Sequence, residues 1–434
     1  MLSVIGIIIA IALLIYFAMK GYNILIITPL LAMLVALASQ MNLIDILIGP
    51  FMTSFMDFAG NFFLVFLFGS IFGKIFEDSG AATSIAQGIL KVTGTKSRPV
   101  VIIAMVAIVG LLTYGGISVF VVVFAILPIA RPLFKQLDIP WALFPGVLFF
   151  GAATFTMTFL PGAPTIQNVI PTRYLDTTVT AAPIVGFVAT IILVPLGLWW
   201  LIREDKKYHA KGLGYEETKG TITEEDEEKL KLRGDVPHFF ISLLPILVLL
   251  VALIGFRAGI ELSLIMGIIL ALLLFYKHLQ SPVNSLNQGA INVSGPILYA
   301  CAVVGFGGAV AATSGFEILQ TAALSIPGHP LISFAVAINV LVGVTASSSG
   351  GLGIGMEVLS EQYAGLVHPE SLHRIATISS SGFDALPHNG AIIAALLVSG
   401  LTHKEAYRPI FWLCVLLPLV AIAGAIITAI ILYG

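Results

Sequence analysis

Long apolar blocks, divided by short polar turns, fill almost the whole chain. The first two, Leu2–Met19 and Ile24–Ala38, are joined at Lys20-Gly-Tyr-Asn23. A helical membrane span needs about 20 apolar residues and a barrel strand only about 10, so these blocks predict transmembrane helices. Met41–Phe58 is less apolar and predicts an interfacial or connecting segment. Gly60–Phe76 predicts a third span, closed by Glu77-Asp-Ser-Gly80, and Ala81–Val92 a short surface helix. The run Val100–Ala130 is interrupted at Thr113-Tyr-Gly-Gly116, and reads either as one kinked span or as a re-entrant hairpin. Lys96 and Arg98 precede it and Arg131 and Lys135 follow. Only a hairpin keeps all four on one side, as the cytoplasmic bias of basic residues favours. Trp141–Asn168 is apolar to Phe155 and then breaks at Thr156-Met-Thr-Phe-Leu-Pro-Gly-Ala-Pro-Thr165, and Thr180–Ile202 predicts a plain span.

Residues 203–236 form the only long hydrophilic stretch, with eight Lys/Arg and ten Asp/Glu, and predict a solvated linker. Beyond it, His238–Gly255, Ile260–Tyr276 and Gly295–Thr313 predict spans. Leu331–Leu366 is broken at Thr345-Ala-Ser-Ser-Ser-Gly-Gly351, and the following run is broken at Ser379-Ser-Ser-Gly-Phe-Asp-Ala-Leu-Pro-His-Asn-Gly390. Ile410–Leu432 predicts the last span.

The halves repeat. Shifting the chain by 235 residues lays Gly60 on Gly295, Gly73 on Gly308, Ser79-Gly80 on Ser314-Gly315, and Gly115-Gly116 on Gly350-Gly351. After the hairpins the offset shortens, and Leu160-Pro161 meets Leu386-Pro387. The expected fold is an all-α polytopic membrane protein of two inverted repeats, a common build of secondary transporters. Residues 1–202 form the first repeat, with scaffold spans at 2–38, a hairpin at 99–130 and a broken helix at 141–170. Residues 203–236 form a cytoplasmic linker. Residues 237–434 form the second repeat, with scaffold spans at 238–276, a hairpin at 331–366 and a broken helix at 372–398. Five spans per half invert the second half. With both termini outside, all Lys and Arg except Arg173, Arg257 and Arg374 fall on the cytoplasmic side, in keeping with the positive-inside rule.

Composition agrees: 58% of the residues are hydrophobic and 10% charged, against about 25% charged in a soluble domain. The net charge of −2 and the absence of a basic patch give no footing for nucleic acid. Cys301 and Cys414 lie in apolar helices and predict neither disulfide nor metal site. The N-terminus has no basic n-region and no small-residue cleavage site, and reads as a retained first helix. No Gly-x4-Gly-Lys-Ser/Thr is present to hold ATP, and no cofactor is expected.

Polar, helix-breaking sequence at membrane depth is tolerated only inside protein or along a cavity. The two hairpin tips and the two broken helices are therefore expected to converge on a transported solute. Its predicted contacts are Tyr114, Gly115 and Gly116; Thr156, Thr158, Gly162, Thr165 and Asn168; Ser347, Ser348, Ser349, Gly350 and Gly351; and Ser380, Ser381 and Asn389. Half-helix N-termini carry roughly +0.5 of charge, and hydroxyls both donate and accept, which suits a hydroxylated anion. No Lys or Arg lies in any of the four breaks. Asp384 and His388 stand one turn apart about Pro387. They are candidate proton carriers, or they bond each other and the freed carbonyls and only shape the loop. Glu357 is a second titrating group or a packing partner.

These blocks carry a resemblance. Gly73-Lys-Ile-Phe-Glu-Asp-Ser-Gly80, Leu160-Pro-Gly-Ala-Pro-Thr-Ile-Gln-Asn168, Ser347-Ser-Ser-Gly-Gly351 and Ser380-Ser-Gly-Phe-Asp-Ala-Leu-Pro-His-Asn-Gly390 are similar to the gluconate:proton symporter (gluconate permease) family. The resemblance implies proton-coupled uptake of a small hydroxylated carboxylate, a sugar acid or a short hydroxy acid such as hydroxybutyrate, across a bacterial inner membrane. The architecture of the wider transporter group implies a homodimer and elevator-type movement. Sodium coupling stays open, because unwound carbonyls and hydroxyls also suit that ion. Two other classes compete. A channel also uses hairpins, in its selectivity filter. An intramembrane hydrolase would use a serine with His388 and Asp384, although no Gly-x-Ser-x-Gly elbow accompanies them.

Overall fold

The computed structural model describes residues 1–20, 22–81, 84–85, 88, 91, 97–114, 119–221, 236–256, 258–324, 326–345 and 347–434. Among them the secondary structure is helical throughout, with no strand. The principal helices are α1 (Leu2–Met19), α2 (Ile24–Ala38), α3 (Met52–Asp78), α4 (Arg98–Tyr114), α5 (Val119–Gln136), α6 (Phe144–Phe149), α7 (Pro183–His209), α8 (Phe239–Leu250) and α9 (Ile260–Phe275). They continue with α10 (Pro282–Asn292), α11 (Ser294–Ala311), α12 (Ser314–Leu324), α13 (Pro330–Thr345), α14 (Ser348–Tyr363), α15 (Pro369–Ser379), α16 (Gly390–Val398), α17 (His403–Ile410) and α18 (Leu417–Tyr433).

Six helical stretches among the described residues are long and apolar enough to cross a membrane. One corrects the expectation of an interfacial segment at Met41–Phe58, because Leu43–Phe76 is a single helical stretch. It passes through a π turn at Leu47–Phe51, where the widened winding accommodates Pro50, which has no N–H to donate. Pro282–Ala311 is a second such stretch, made of α10 and α11. The two lie side by side, antiparallel: Ser70 Oγ donates to the Gly289 carbonyl at 2.7 Å, and Ser285 Oγ to Asp78 Oδ2 at 2.7 Å. Around this pair pack α2 and α9, with α1 on α2 and α8 on α9.

α12 packs on α1, and the other remaining helices pack chiefly on one another. α7 runs along α18, and α4 along the helix that follows α6. α13 and α14 form a tight antiparallel hairpin, closed at its open end by a 2.8 Å bond between Ser333 Oγ and the Tyr363 hydroxyl. Near the tip, Gly351 lets the arms touch: a Cβ there would stand 2.4 Å from the Val342 Cα. The outer ends of α4 and α5 likewise come together, on one imidazole. His209 Nε2 lies 2.8 Å from Arg98 Nη1 and 2.9 Å from the Asp138 carbonyl. The two helices therefore turn back on each other rather than run on as one rod. The tip between them, with Gly115 and Gly116, lies outside the described residues.

The linker expectation needs a second correction. Helix α7 does not stop at Ile202 but continues to His209, and the chain to Thr221 folds against the body. Glu204 and Asp205 are buried, each beside one arginine: Arg408 at 2.7 Å and Arg98 at 3.1 Å. Tyr215, 1% exposed, donates its N–H to Asp138 Oδ1 at 2.9 Å. The Trp141 N–H donates to Thr218 Oγ1 at 2.7 Å, and the Thr221 N–H to the Gly400 carbonyl at 2.9 Å. At the rim of this cap Lys219 sits 2.6 Å from Glu216 and holds its carboxyl below the ordinary range. Residues 222–235 lie outside the described residues.

The close approach at Gly351 sets a stability test. Gly351→Ala forces Cβ against backbone and is expected to cost about 1–3 kcal/mol, read as a lower thermal midpoint of the detergent-purified protein. Gly353→Ala, where nothing stands within 4 Å of the new Cβ, is expected to hold or slightly raise it.

Candidate functional site

The first break begins with a change of winding. Helix α6 passes into a π-helix over Phe150–Phe159, and its threonine hydroxyls turn back onto the backbone. Thr154 donates to the Phe149 carbonyl at 3.0 Å, Thr156 to Gly151 at 2.6 Å, and Thr158 to Thr154 at 2.9 Å. Leu160 is extended, Pro161 and Pro164 cannot donate, and Gly162 takes φ +82°. The helix ends there, and the chain resumes in short turns at Ile166–Val169 and Thr172–Leu175.

The second break follows α15. Gly382 has φ +103°, a conformation costly for residues with a Cβ, and starts the one-turn helix Phe383–Ala385. Carbonyls freed here find side-chain donors, since a buried carbonyl left unpaired is costly. Asn389 Nδ2 donates to the Asp384 carbonyl at 2.8 Å, the Tyr407 hydroxyl to Ala385 at 2.9 Å, and His403 Nε2 to Pro387 at 2.8 Å. Asn389 Oδ1 caps α16, accepting from the Ala391 and Ile392 N–H groups at 2.7 and 3.1 Å. His403 is thus a half-buried brace of the break, not the solvated loop residue that its position suggests.

Both breaks open onto one cavity of about 190 Å3. Drug-sized sites run to roughly 300–1,000 Å3, so the space suits a small solute. Of the sequence-predicted contacts, Thr165, Ser347, Ser348, Ser349 and Asn389 line it, and so does Asp384. The opposite wall comes from α3 and α11, through Val65, Phe66, Gly69, Tyr299 and Val303.

The other predicted residues stand behind this wall. The Tyr114 hydroxyl donates to the Pro161 carbonyl at 3.1 Å. Thr156 and Thr158 are committed to their own helix, Gly162 makes the turn, Gly351 packs inside the hairpin, and Gly350 packs against Val304 of α11. Ser380 and Ser381 are buried, Ser380 accepting from Ser348 Oγ at 3.0 Å. His388 is fully buried, with Nε2 donating to the Gly343 carbonyl at 3.2 Å and no serine bonded to it. Glu357 is exposed on α14. Among the described residues no group of three or more His, Cys, Asp or Glu is placed to hold a metal.

The profile of the GntP family permeases matches residues 1–287. The chain is also 35% identical to the uncharacterized transporter YxjC of Bacillus subtilis (strain 168), over 94% of this chain and 95% of that one. The chain belongs to the GntP permease family. It is accordingly a multi-pass membrane transporter of a small solute, and the resemblance carried by the four sequence blocks holds.

Several residues of this permease's site escaped the sequence reading. Thr113, Gln167 and Cys414 line the cavity. Thr113 and Gln167 adjoin predicted contacts and were within reach, whereas Cys414 lies on a π turn, Phe411–Leu416, inside an otherwise plain apolar span. Arg374 was counted among the three cations off the cytoplasmic side and given no role, but it is fully buried on α15. It donates to Asn168 Oδ1 at 2.7 Å and to the carbonyls of Ala181 and Val179 at 3.0 Å each. The signal was available: an arginine between Leu372 and Ile378 stands in apolar helix, not in a loop. Next to it His373 Nδ1 meets Thr177 Oγ1 at 2.7 Å, so α15 clamps the first break and the strap after it.

This placement separates two neighbouring serine positions. In a permease with Cys301 and Cys414 replaced, a cysteine introduced by Ser349→Cys is expected to react with a small hydrophilic thiol reagent. One introduced by Ser381→Cys is expected to stay protected, and equal labelling rates would contradict a cavity bounded in this way.

Proposed function

We propose that the permease carries a small hydroxylated carboxylate, a gluconate-like sugar acid or a short hydroxy acid such as hydroxybutyrate, into the cell together with a proton. The observation that carries this reading is Asp384. Its side chain lines the same cavity as three serines of the α14 N-terminus and the first turn of α16, and it makes no ion pair among the described residues. The positive dipole ends of these two helix starts suit a carboxylate. An ionised Asp384 opposes one: like charges about 5 Å apart at an effective dielectric of about 20 repel by about 3 kcal/mol. The anion therefore binds with a proton on Asp384, and leaves with it. His388, sealed behind the break, holds the second break to α13. A hydrolase reading lacks its nucleophile–base pair, since no serine is bonded to His388.

The wider arrangement belongs to the same proposal. The 235-residue offset pairs Leu43–Phe76 with Pro282–Ala311, and α4 and α5 with α13 and α14, which supports two inverted repeats with re-entrant hairpins. The cavity lies where α3 and α11 face the breaks and the hairpin, which favours an elevator-type movement of the latter past the former. The cation-rich cap at residues 203–221 is placed on the cytoplasmic side of the inner membrane, with both termini outside. The first spans of each half serve as the scaffold of a homodimer.

The test is uptake into proteoliposomes of gluconate and of 3-hydroxybutyrate, under an imposed proton gradient and then a sodium gradient. Accumulation driven by protons is expected. Asp384→Asn is expected to abolish that accumulation while the protein remains folded, and unchanged uptake under the proton gradient removes Asp384 from coupling. Accumulation under sodium alone replaces the proton with that ion.

A further inference from the structure

The hydroxyls around the cavity are not equivalent. Each has one proton and two lone pairs, so what it offers a solute depends on where its proton already goes. At Thr165 the answer is forced. Its Oγ1 lies 2.7 Å from the Met157 carbonyl, which only accepts, so the proton points there. Asn168 Nδ2 stands 3.2 Å from the same oxygen. Two neighbours fix which end of the Asn168 amide faces Thr165. Arg374 Nη1, which only donates, is 2.7 Å from Oδ1, and the Ala163 carbonyl, which only accepts, is 3.2 Å from Nδ2. Arg374 is itself held by the carbonyls of Val179 and Ala181. A line of obligate polarity thus runs from a buried guanidinium through an amide to a hydroxyl at the cavity wall. Thr165 is left with one lone pair and no proton to offer.

The other hydroxyls divide in the same way. Thr113 spends its proton on the Val109 carbonyl at 2.8 Å. Ser348 donates to Ser380, which donates to the Thr377 carbonyl at 2.7 Å. Ser347 instead accepts from the Gly350 N–H at 3.0 Å and lies 3.5 Å from Ser349 Oγ, so whichever of the two donates to the other, one proton of the pair stays free. The start of α14 therefore offers a donor, suited to a carboxylate, while the wall at Thr165 and Thr113 offers acceptors.

We propose that Thr165 is the subsite that reads a hydroxyl donor on the solute, with Asn168 and Arg374 as positioning residues that keep it a pure acceptor. This rests on the carboxylate reading above, and adds which wall meets which end of the solute. A carboxylate without a hydroxyl leaves this Thr165 lone pair without a partner on the solute, and binds more weakly.

The test is calorimetric titration of the full-length permease in nanodiscs with 3-hydroxybutyrate and with butyrate, read as the ratio of affinities. The wild type is expected to favour the hydroxy acid by about 10-fold or more. Thr165→Val is expected to bring the ratio close to one, with Thr165→Ala as the second variant should the first not fold, and Thr165→Ser to keep the preference. Asn168→Asp still accepts from Arg374 but cannot donate to Thr165. It sets a second acceptor beside the Thr165 hydroxyl, which competes with Met157 for the proton, and is expected to give a ratio between wild type and Thr165→Val. A merely structural role for Asn168 leaves the ratio untouched and overturns the positioning assignment. A wild-type ratio near one, or a preference retained in Thr165→Val, overturns the subsite while leaving carboxylate transport standing. Binding of neither acid overturns both.

Discussion

A helix interrupted inside hydrocarbon leaves carbonyl groups that no water can reach, each worth several kcal/mol if unmet. The whole transport half of this protein is arranged around that constraint. Tyr407, His403 and Asn389 each take one carbonyl of the second break, and Tyr114 takes one of the first. Arg374 takes two from the strap beside it. Apart from Asn389, these donors come from other helices, so each break is stable only once its neighbours are in place. The cost of unwinding is thus spread over the packing of the domain. In return, N–H groups and side chains that a continuous helix would hide face a cavity.

The location of the breaks was legible in the sequence because proline, glycine and serine are conspicuous in an apolar run. Ser379–Gly390 breaks where it was expected to, and Thr165, Ser347–Ser349, Asn389 and Asp384 reach the cavity. Which way each side chain points was not legible. Thr156 and Thr158 look like ligands on a half-helix, but their hydroxyls are consumed by carbonyls of the same helix, five residues back for Thr156 and four for Thr158. Ser381 and Asp384 are three residues apart in one loop. The turn at Gly382 sends one inward and the other to the cavity.

Charge misled in two places, for one reason. Arg374, Glu204 and Asp205 were assigned to water because charged residues usually are. Each is buried, the arginine among carbonyls and the acids beside Arg408 and Arg98. A single sequence gives the count of charges but not their partners. Those partners lie far along the chain, Arg98 107 positions from Asp205 and Asn168 206 positions from Arg374.

Trp141 has a consequence of its own. It stacks flat on Phe144 at 4.4 Å, edge-on to Phe134 at 5.6 Å, and its indole N–H donates to the Ser399 carbonyl at 2.9 Å. It therefore stands at the start of the first interrupted helix and grips the end of the second. A push on either helix is felt at this ring, which acts as a shared axle. The two interrupted helices are then joined at a second point besides the cavity wall, at the end of the molecule where the cap sits.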